Sequence, residues 1–192
     1  MTTTIRQAVL ADAPQVAGIY APYVSDAVIS FELEPPDAAE MARRMFHARA
    51  YPWLVCAGSG GDLLGYAYAS QHRERAAYQW SVDVTVYVRI DQHRRGVGRA
   101  LYTSLFGILR AQGFHAAHAG VTLPNAASVG LHESFGFRAV GVYPAVGYKL
   151  GAWHDVGWWQ LELRARRRAD VPPAPPLAVD DALAGGAAAH LG

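Results

Sequence analysis

Cysteine is almost absent: Cys56 stands alone in 192 residues, which excludes an intrachain disulfide framework and any zinc site built on cysteine pairs. It sits in "WLVCA", an apolar run of strand length, and reads as a buried position rather than an acyl-carrying nucleophile. No run approaches the roughly 18 apolar residues of a membrane helix. The start "MTTTIRQAVLADAP" lacks a basic segment followed by an apolar one, so neither a membrane span nor a signal peptide is expected, and the expected compartment is the cytoplasm. Charge of one sign is lacking too: 17 Lys and Arg oppose 16 Asp and Glu, a balance without the basic excess of a nucleic-acid-binding chain. The one arginine run, "RARRR" at 164–168, reads as solvated. HExxH, GxSxG and GxxxxGK[ST] are all missing, and GxGxxG fails because Leu101 stands where the third glycine would follow Gly96 and Gly98. His115 and His118, three apart, have no accompanying ligand motif, so no metal is expected.

What is present is a globular composition, 52% hydrophobic and 17% charged, in a length that suits one domain with its own core. Periodicity switches repeatedly between two and 3.6. "TIRQAV" predicts a first strand, and Asp12 before Pro14 predicts the N-cap of a helix through Tyr20. Asp37 and Glu40, at capping-box spacing, open a second helix with Met41, Met45 and Ala48 on its apolar face. "WLVCA", a Ser-Gly-Gly turn and "LLGYAYAS" predict an antiparallel pair. In "WSVDVTVYV", Val82, Val84, Val86 and Val88 alternate with Asp83, Thr85 and Tyr87, the clearest strand in the chain. Leu101, Leu105, Ile108 and Leu109 then fall at helical spacing as far as Gly113. "HAAHAGV" predicts a short strand, "NAASVGLHESFG" a short helix, and "FRAVGVY" and "DVGWWQLEL" closing strands. The fold class expected is mixed α/β (α+β) around one central sheet, with residues 1–164 as the domain. From 165 onward, "VPPAPP" and "ALAGGAAAHLG" predict a flexible Pro/Ala-rich tail that builds no core.

The most pointed local signal is "DQHRRGVGRALY", residues 91–102, between the valine-rich strand and the helix that follows. N–H groups at a helix start lack intrahelical partners, and glycines let an anion approach them, so the loop is a nest for phosphate oxygens. It is equally readable as a strand-to-helix turn with solvated arginines. Further stretches separate the two readings. "SFELEPP", "AYQWSVDVTVYV", "LPNAASVGLHESFGF" and "VGYKLGAWHDVGWWQ", together with this loop, resemble the GNAT superfamily of acetyl-CoA-dependent N-acetyltransferases. Within it they are most similar to the phosphinothricin and methionine sulfoximine N-acetyltransferases, over roughly residues 4–163.

The resemblance implies a mostly antiparallel twisted sheet of about six or seven strands flanked by helices. It further implies acetyl-CoA as co-substrate, a small-molecule amine as acceptor, and a homodimer with the aromatic C-terminal strand at its interface. Arg94, Arg95, Gly96, Val97, Gly98 and Arg99 would hold the coenzyme's pyrophosphate, with His93 where the family carries Gln or Arg. Val86, Tyr87 and Val88 would run beside the pantetheine arm, its amides pairing with the strand edge. An ammonium must lose a proton before its nitrogen attacks a thioester. Asp83, where the family carries a glutamate, is the candidate base, the alternative being a strand aspartate paired with an arginine. A backbone N–H near Val86 could hold the charge that develops on the acyl oxygen. His132, where many members carry a tyrosine, is the candidate acid for the departing thiolate. Asn125 caps the helix before it or bonds the pantetheine amide. Arg73 and Arg75 would fork an acceptor carboxylate or phosphinate between Phe31 and Tyr78, or else are solvated. The same chemistry on a polyamine, aminoglycoside or peptide N-terminus, or a non-catalytic acyl-CoA-binding module, are the competing readings.

Overall fold

Strands β1 (Thr3–Gln7), β2 (Trp53–Gly58), β3 (Leu63–Gln71), β4 (Ser81–Val88), β5 (Ala116–Leu123), β6 (Arg138–Lys149) and β7 (Ala152–Glu162) form one sheet. The computed structural model describes residues 3–47, 50–165 and 173–192 and orders the seven strands β1-β2-β3-β4-β5-β7-β6. All neighbours are antiparallel except β4 and β5. That parallel pair is short: Ser81, Val82 and Asp83 face Ala116, Ala117 and His118. Beyond these residues the two strands part, so the sheet opens at its centre.

Each face of the sheet carries its own core. Helices α1 (Ala13–Ser25) and α2 (Ala38–His47) cover one, where Val16, Tyr20 and Met41 meet Val55 and Tyr66. Helix α3 (Val97–Gln112) covers the other, its Leu101, Leu105, Ile108 and Leu109 packing on Val82, Val84 and Ala117. The period of two in β4 therefore puts valines under α3 and sends Asp83, Thr85 and Tyr87 to the α1–α2 face. Asp37 accepts the Glu40 N–H at 2.8 Å, the cap the spacing predicts, while Ala48 lies outside the described residues.

Three expectations differ. Helix α1 does not stop at Tyr20 but continues to Ser25 through Pro22; burial of Tyr23 and Val24 outweighs the one helical bond proline cannot donate. The Asp12 carboxylate does not cap α1. It accepts the Val9 N–H at 2.8 Å and a fork from Arg6 at 2.7 and 2.8 Å. The described part of the C-terminal segment also builds structure. Residues Val179–Ala184 form α5, with Val179, Ala182 and Ala187 buried. Gln112 exchanges bonds with Leu177, and Gly192 pairs with Ile5 on the edge of β1. A few small apolar residues suffice here because α3 already presents a surface to receive them.

Candidate active site

The centre of the site is the gap opened by β4 and β5. The Arg89 N–H bonds the Leu64 carbonyl, which fixes the alternation along the antiparallel β3–β4 ladder: odd-numbered residues of β4 exchange bonds with β3. Val86 and Val88 thus turn their N–H and C=O groups toward β5, and past the Asp83–His118 rung β5 is no longer there to meet them. A cleft of about 110 Å³ occupies this gap, lined among others by Ile29, Val86, Tyr102, Thr122, Asn125 and His132. A strand edge that presents unpaired amides to a narrow cleft is built to pair with an extended, amide-bearing chain.

The three consecutive strand residues expected beside that chain play different parts. Val86 has its amide free toward the gap. The Val88 carbonyl already accepts the Tyr23 hydroxyl at 2.5 Å and lies 3.1 Å from His93 Nε2. Tyr87 pairs through its backbone with Tyr66, and its ring packs 4.8 and 4.9 Å from Tyr20 and Tyr23.

At the end of β4 the loop turns into α3 through Arg94 and Gly96, both at positive φ (60° and 84°). The first helical bond runs from the Ala100 N–H to the Gly96 carbonyl, so the N–H groups of Val97, Gly98 and Arg99 precede it and have no helical acceptor. No atom would crowd a side chain at Gly96, yet its backbone conformation favours glycine. The side chains divide. Arg94 and Arg95 are exposed, whereas Arg99 reaches Ser134 Oγ at 3.0 Å and lies 5.4 Å over the Phe135 ring. The exposed His93 meets the Tyr23 hydroxyl through Nε2 at 2.7 Å, which ties the loop to α1. The nest is therefore made of backbone, with Arg94 and Arg95 at its rim.

Helix α4 (Ala126–Glu133) borders the cleft on the other side. Asn125 caps it, accepting the Ser128 N–H at 3.0 Å. His132 is buried and its Nδ1 lies 2.8 Å from the Ser128 carbonyl. A carbonyl only accepts, so Nδ1 carries the proton and Nε2 accepts the Tyr102 hydroxyl at 3.0 Å. Burial lowers the imidazole's pKa, against the opposing pull of the Ser128 carbonyl, and keeps it neutral. Burial likewise raises the Tyr102 hydroxyl above its ordinary value. Tyr102, which periodicity shows only as a helix residue, thus lines the cleft together with His132 and occupies its Nε2.

On the α1–α2 face, Asp83 lies beside Ser70 of β3 and His118 of β5. Burial raises its carboxyl above the ordinary value, and the hydrogen bond from His72 pulls it part of the way back. The connection after β3 carries Arg73, whose charge acts on this carboxylate, and then Arg75 and Tyr78. Arg73 donates to the His72 carbonyl at 3.1 Å, Arg75 opens the short 3-10 turn, and the Tyr78 ring stands 6.0 Å from His72. Phe31 lies elsewhere, against Gly147 of β6 and 6.4 Å from the His154 ring. Ile29, two residues earlier, lines the cleft instead. Buried Lys149 holds that loop, donating to the carbonyls of Val24 at 2.5 Å and Ser30 at 2.7 Å. Among the described residues no group of three His, Cys, Asp or Glu side chains is placed to hold a metal ion.

A family model described as an acetyltransferase (GNAT) domain matches residues 5–158. The chain belongs to the GNAT acetyltransferase family. This GNAT domain is 41% identical to a phosphinothricin N-acetyltransferase of Streptomyces viridochromogenes, over 90% of each chain. It is 38% identical to an L-methionine sulfoximine/L-methionine sulfone acetyltransferase of Pseudomonas paraeruginosa, over 88% of this chain and 99% of that one. Among solved structures, the GNAT superfamily phosphinothricin acetyltransferase of Sinorhizobium meliloti in complex with AcCoA superposes with a TM-score of 0.84 at 35% identity, covering 91% of this chain and 94% of that one. The opened sheet, the glycine-bearing start of α3, Asp83 and the β3–β4 connection all lie within the residues that the family model matches.

Proposed function

We propose that this GNAT domain is an acetyl-CoA-dependent N-acetyltransferase for small amino-acid-like amines of the phosphinothricin or methionine sulfoximine kind. The observation that carries the reading is the free Val86 amide in the gap between β4 and β5, with Asp83 on the acceptor side and Tyr102 and His132 on the other. The fit to coenzyme A rests on the same features: backbone N–H groups of Val97, Gly98 and Arg99 for a diphosphate, and a strand edge for the pantetheine amides. Acetyl-CoA would supply an acetyl group activated as a thioester.

The chain's own residues do the rest. Asp83 takes the proton from the acceptor ammonium, and its raised pKa makes it a better base than an exposed aspartate. The Val86 N–H faces the acyl oxygen and stabilises charge there. The departing thiolate takes the proton that the acceptor nitrogen loses as the tetrahedral intermediate collapses to the amide, in the cleft that Tyr102 and His132 line. Arg73 and Arg75, both exposed on the connection that follows β3, pair with the acceptor's carboxylate or phosphinate. The similarity to enzymes named for amino-acid-like acceptors supports this acceptor class.

We also propose that two copies associate through β6 and β7, whose Val140, Val142, Tyr143, Tyr148 and Trp153 form an exposed apolar band. Incubation with acetyl-CoA and a panel of phosphinothricin, methionine sulfoximine, polyamines and aminoglycosides, following free thiol, tests the activity. Turnover confined to the first two supports it; turnover confined to the cationic amines moves the acceptor class, and binding of acetyl-CoA without any turnover leaves a sensor.

A further inference from the structure

His72 has no part in the assignments above, yet it makes the shortest polar contact to the proposed base. Its Nδ1 lies 2.7 Å from Asp83 Oδ1. An ionised carboxylate can only accept, so Nδ1 donates, and for Nε2 there is no hydrogen-bond partner among the described residues. The ring is not free to turn. It stacks on His118 with centroids 4.2 Å apart and planes at 15°, and the Tyr78 ring closes its edge at 6.0 Å. His118 stands next to Asp83 across the parallel register, so the two strands that separate at the cleft are joined at their last paired rung by an Asp–His–His cluster.

We propose that His72 is the positioning residue for Asp83: its Nδ1–H fixes one carboxylate oxygen and leaves the other directed to the acceptor amine, with His118 as the flat support that sets the ring's plane. This inference rests on Asp83 being the base of the acetyl transfer. The groups that face Asp83 from the surrounding elements are consistent with it. Arg73 on the same connection adds positive charge, Tyr68 of β3 engages Thr85, and His118 of β5 is lowered to about 4, chiefly by burial and then by His72 and Arg73. Of these neighbours, His72 alone donates directly to the carboxylate.

The role predicts which atom matters. Phe at position 72 keeps a flat ring on His118 and removes the donor; Asn keeps an N–H where Nδ1 stands. In His72→Phe the acid limb of kcat/KM for the acceptor should move up by about one pH unit, the size of a charge-assisted hydrogen bond, with a loss of about tenfold below the limb. KM for acetyl-CoA should stay unchanged. His72→Asn should keep the wild-type limb. A limb unmoved in His72→Phe, or moved equally in both variants, overturns the proposal. Nitrogen NMR of the histidines adds a readout apart from turnover: the His72 ring should be the Nδ1–H tautomer in the wild type and lose that preference in Asp83→Asn. An Nε2–H tautomer in the wild type sinks the positioning role even if acetyl transfer is observed. A wild type that turns over no amine instead fails the transferase reading on which the inference stands.

Discussion

A carboxylate half-buried on a sheet face needs a reason to be there, and the neighbours of Asp83 supply a chemical one. Burial raises its pKa while His72 restrains the rise, which suits a group that must be charged at neutral pH and still accept a proton. Asp83→Asn should lower kcat/KM by about a hundredfold, within the range of general-base contributions, and remove the gain in rate with rising pH. Steady-state kinetics across pH checks this, and an unchanged profile removes Asp83 from the role. The histidines give a second prediction, about stability. His118 is lowered to about 4 and His132 is lowered as well, against about 6.5 in an unfolded chain. Between those values the unfolded state binds more protons than the folded one, so stability is full above about pH 6.5 and falls as the solution is acidified toward 4. The slope per group is at most about 1.4 kcal/mol per pH unit. His118→Val should flatten it, as measured by urea midpoints at pH 7.5 and 5.

Elements convert these residues into a site, and sequence patterns reveal them unequally. The alternation of Val82 to Val88 announces β4 and places Asp83 opposite the valines, because side-chain direction in a strand is local. The glycines announce the start of α3, because a positive φ is local too. Gly96→Val should therefore strain the turn by about 1–2 kcal/mol and raise KM for acetyl-CoA several-fold, with KM for the acceptor unmoved. Equal changes in both constants would point to general disruption. What stays hidden is set by partners distant in the chain. The rung at which β5 leaves β4 depends on α3 crossing between them. The tie of Tyr102 to His132 spans two helices. Lys149 looks like one more polar strand residue, yet it bonds carbonyls more than a hundred positions away. Phe31 is expected as a wall of the acceptor site only through the resemblance, and the turn that gives the cleft Ile29 instead is not legible in the local pattern. Lys149→Met should leave those carbonyls unpaired at a cost of about 1–3 kcal/mol and raise the acceptor's KM.

At the scale of the molecule, the opened sheet has two edges and treats them differently. On β1 the edge is met by the chain itself, through Gly192 against Ile5, while α5 covers the flank of α3. Composition hides this because small residues dock only on a surface formed by other parts of the chain. The opposite edge, β6, has no such cover among the described residues and shows Val140, Val142, Val146 and Tyr148 to solvent, with Trp153 beside them on β7. An exposed apolar edge strand invites indiscriminate pairing unless a specific partner occupies it. A second copy would present the same band, and a two-fold axis lets one patch satisfy itself. Lysines at Val140 and Val142 should therefore convert a dimer to a monomer in sedimentation velocity at micromolar concentration, while the unfolding midpoint of the dilute, dissociated chain moves little. A wild type that sediments as a monomer at that concentration would rule out the band as a self-association surface.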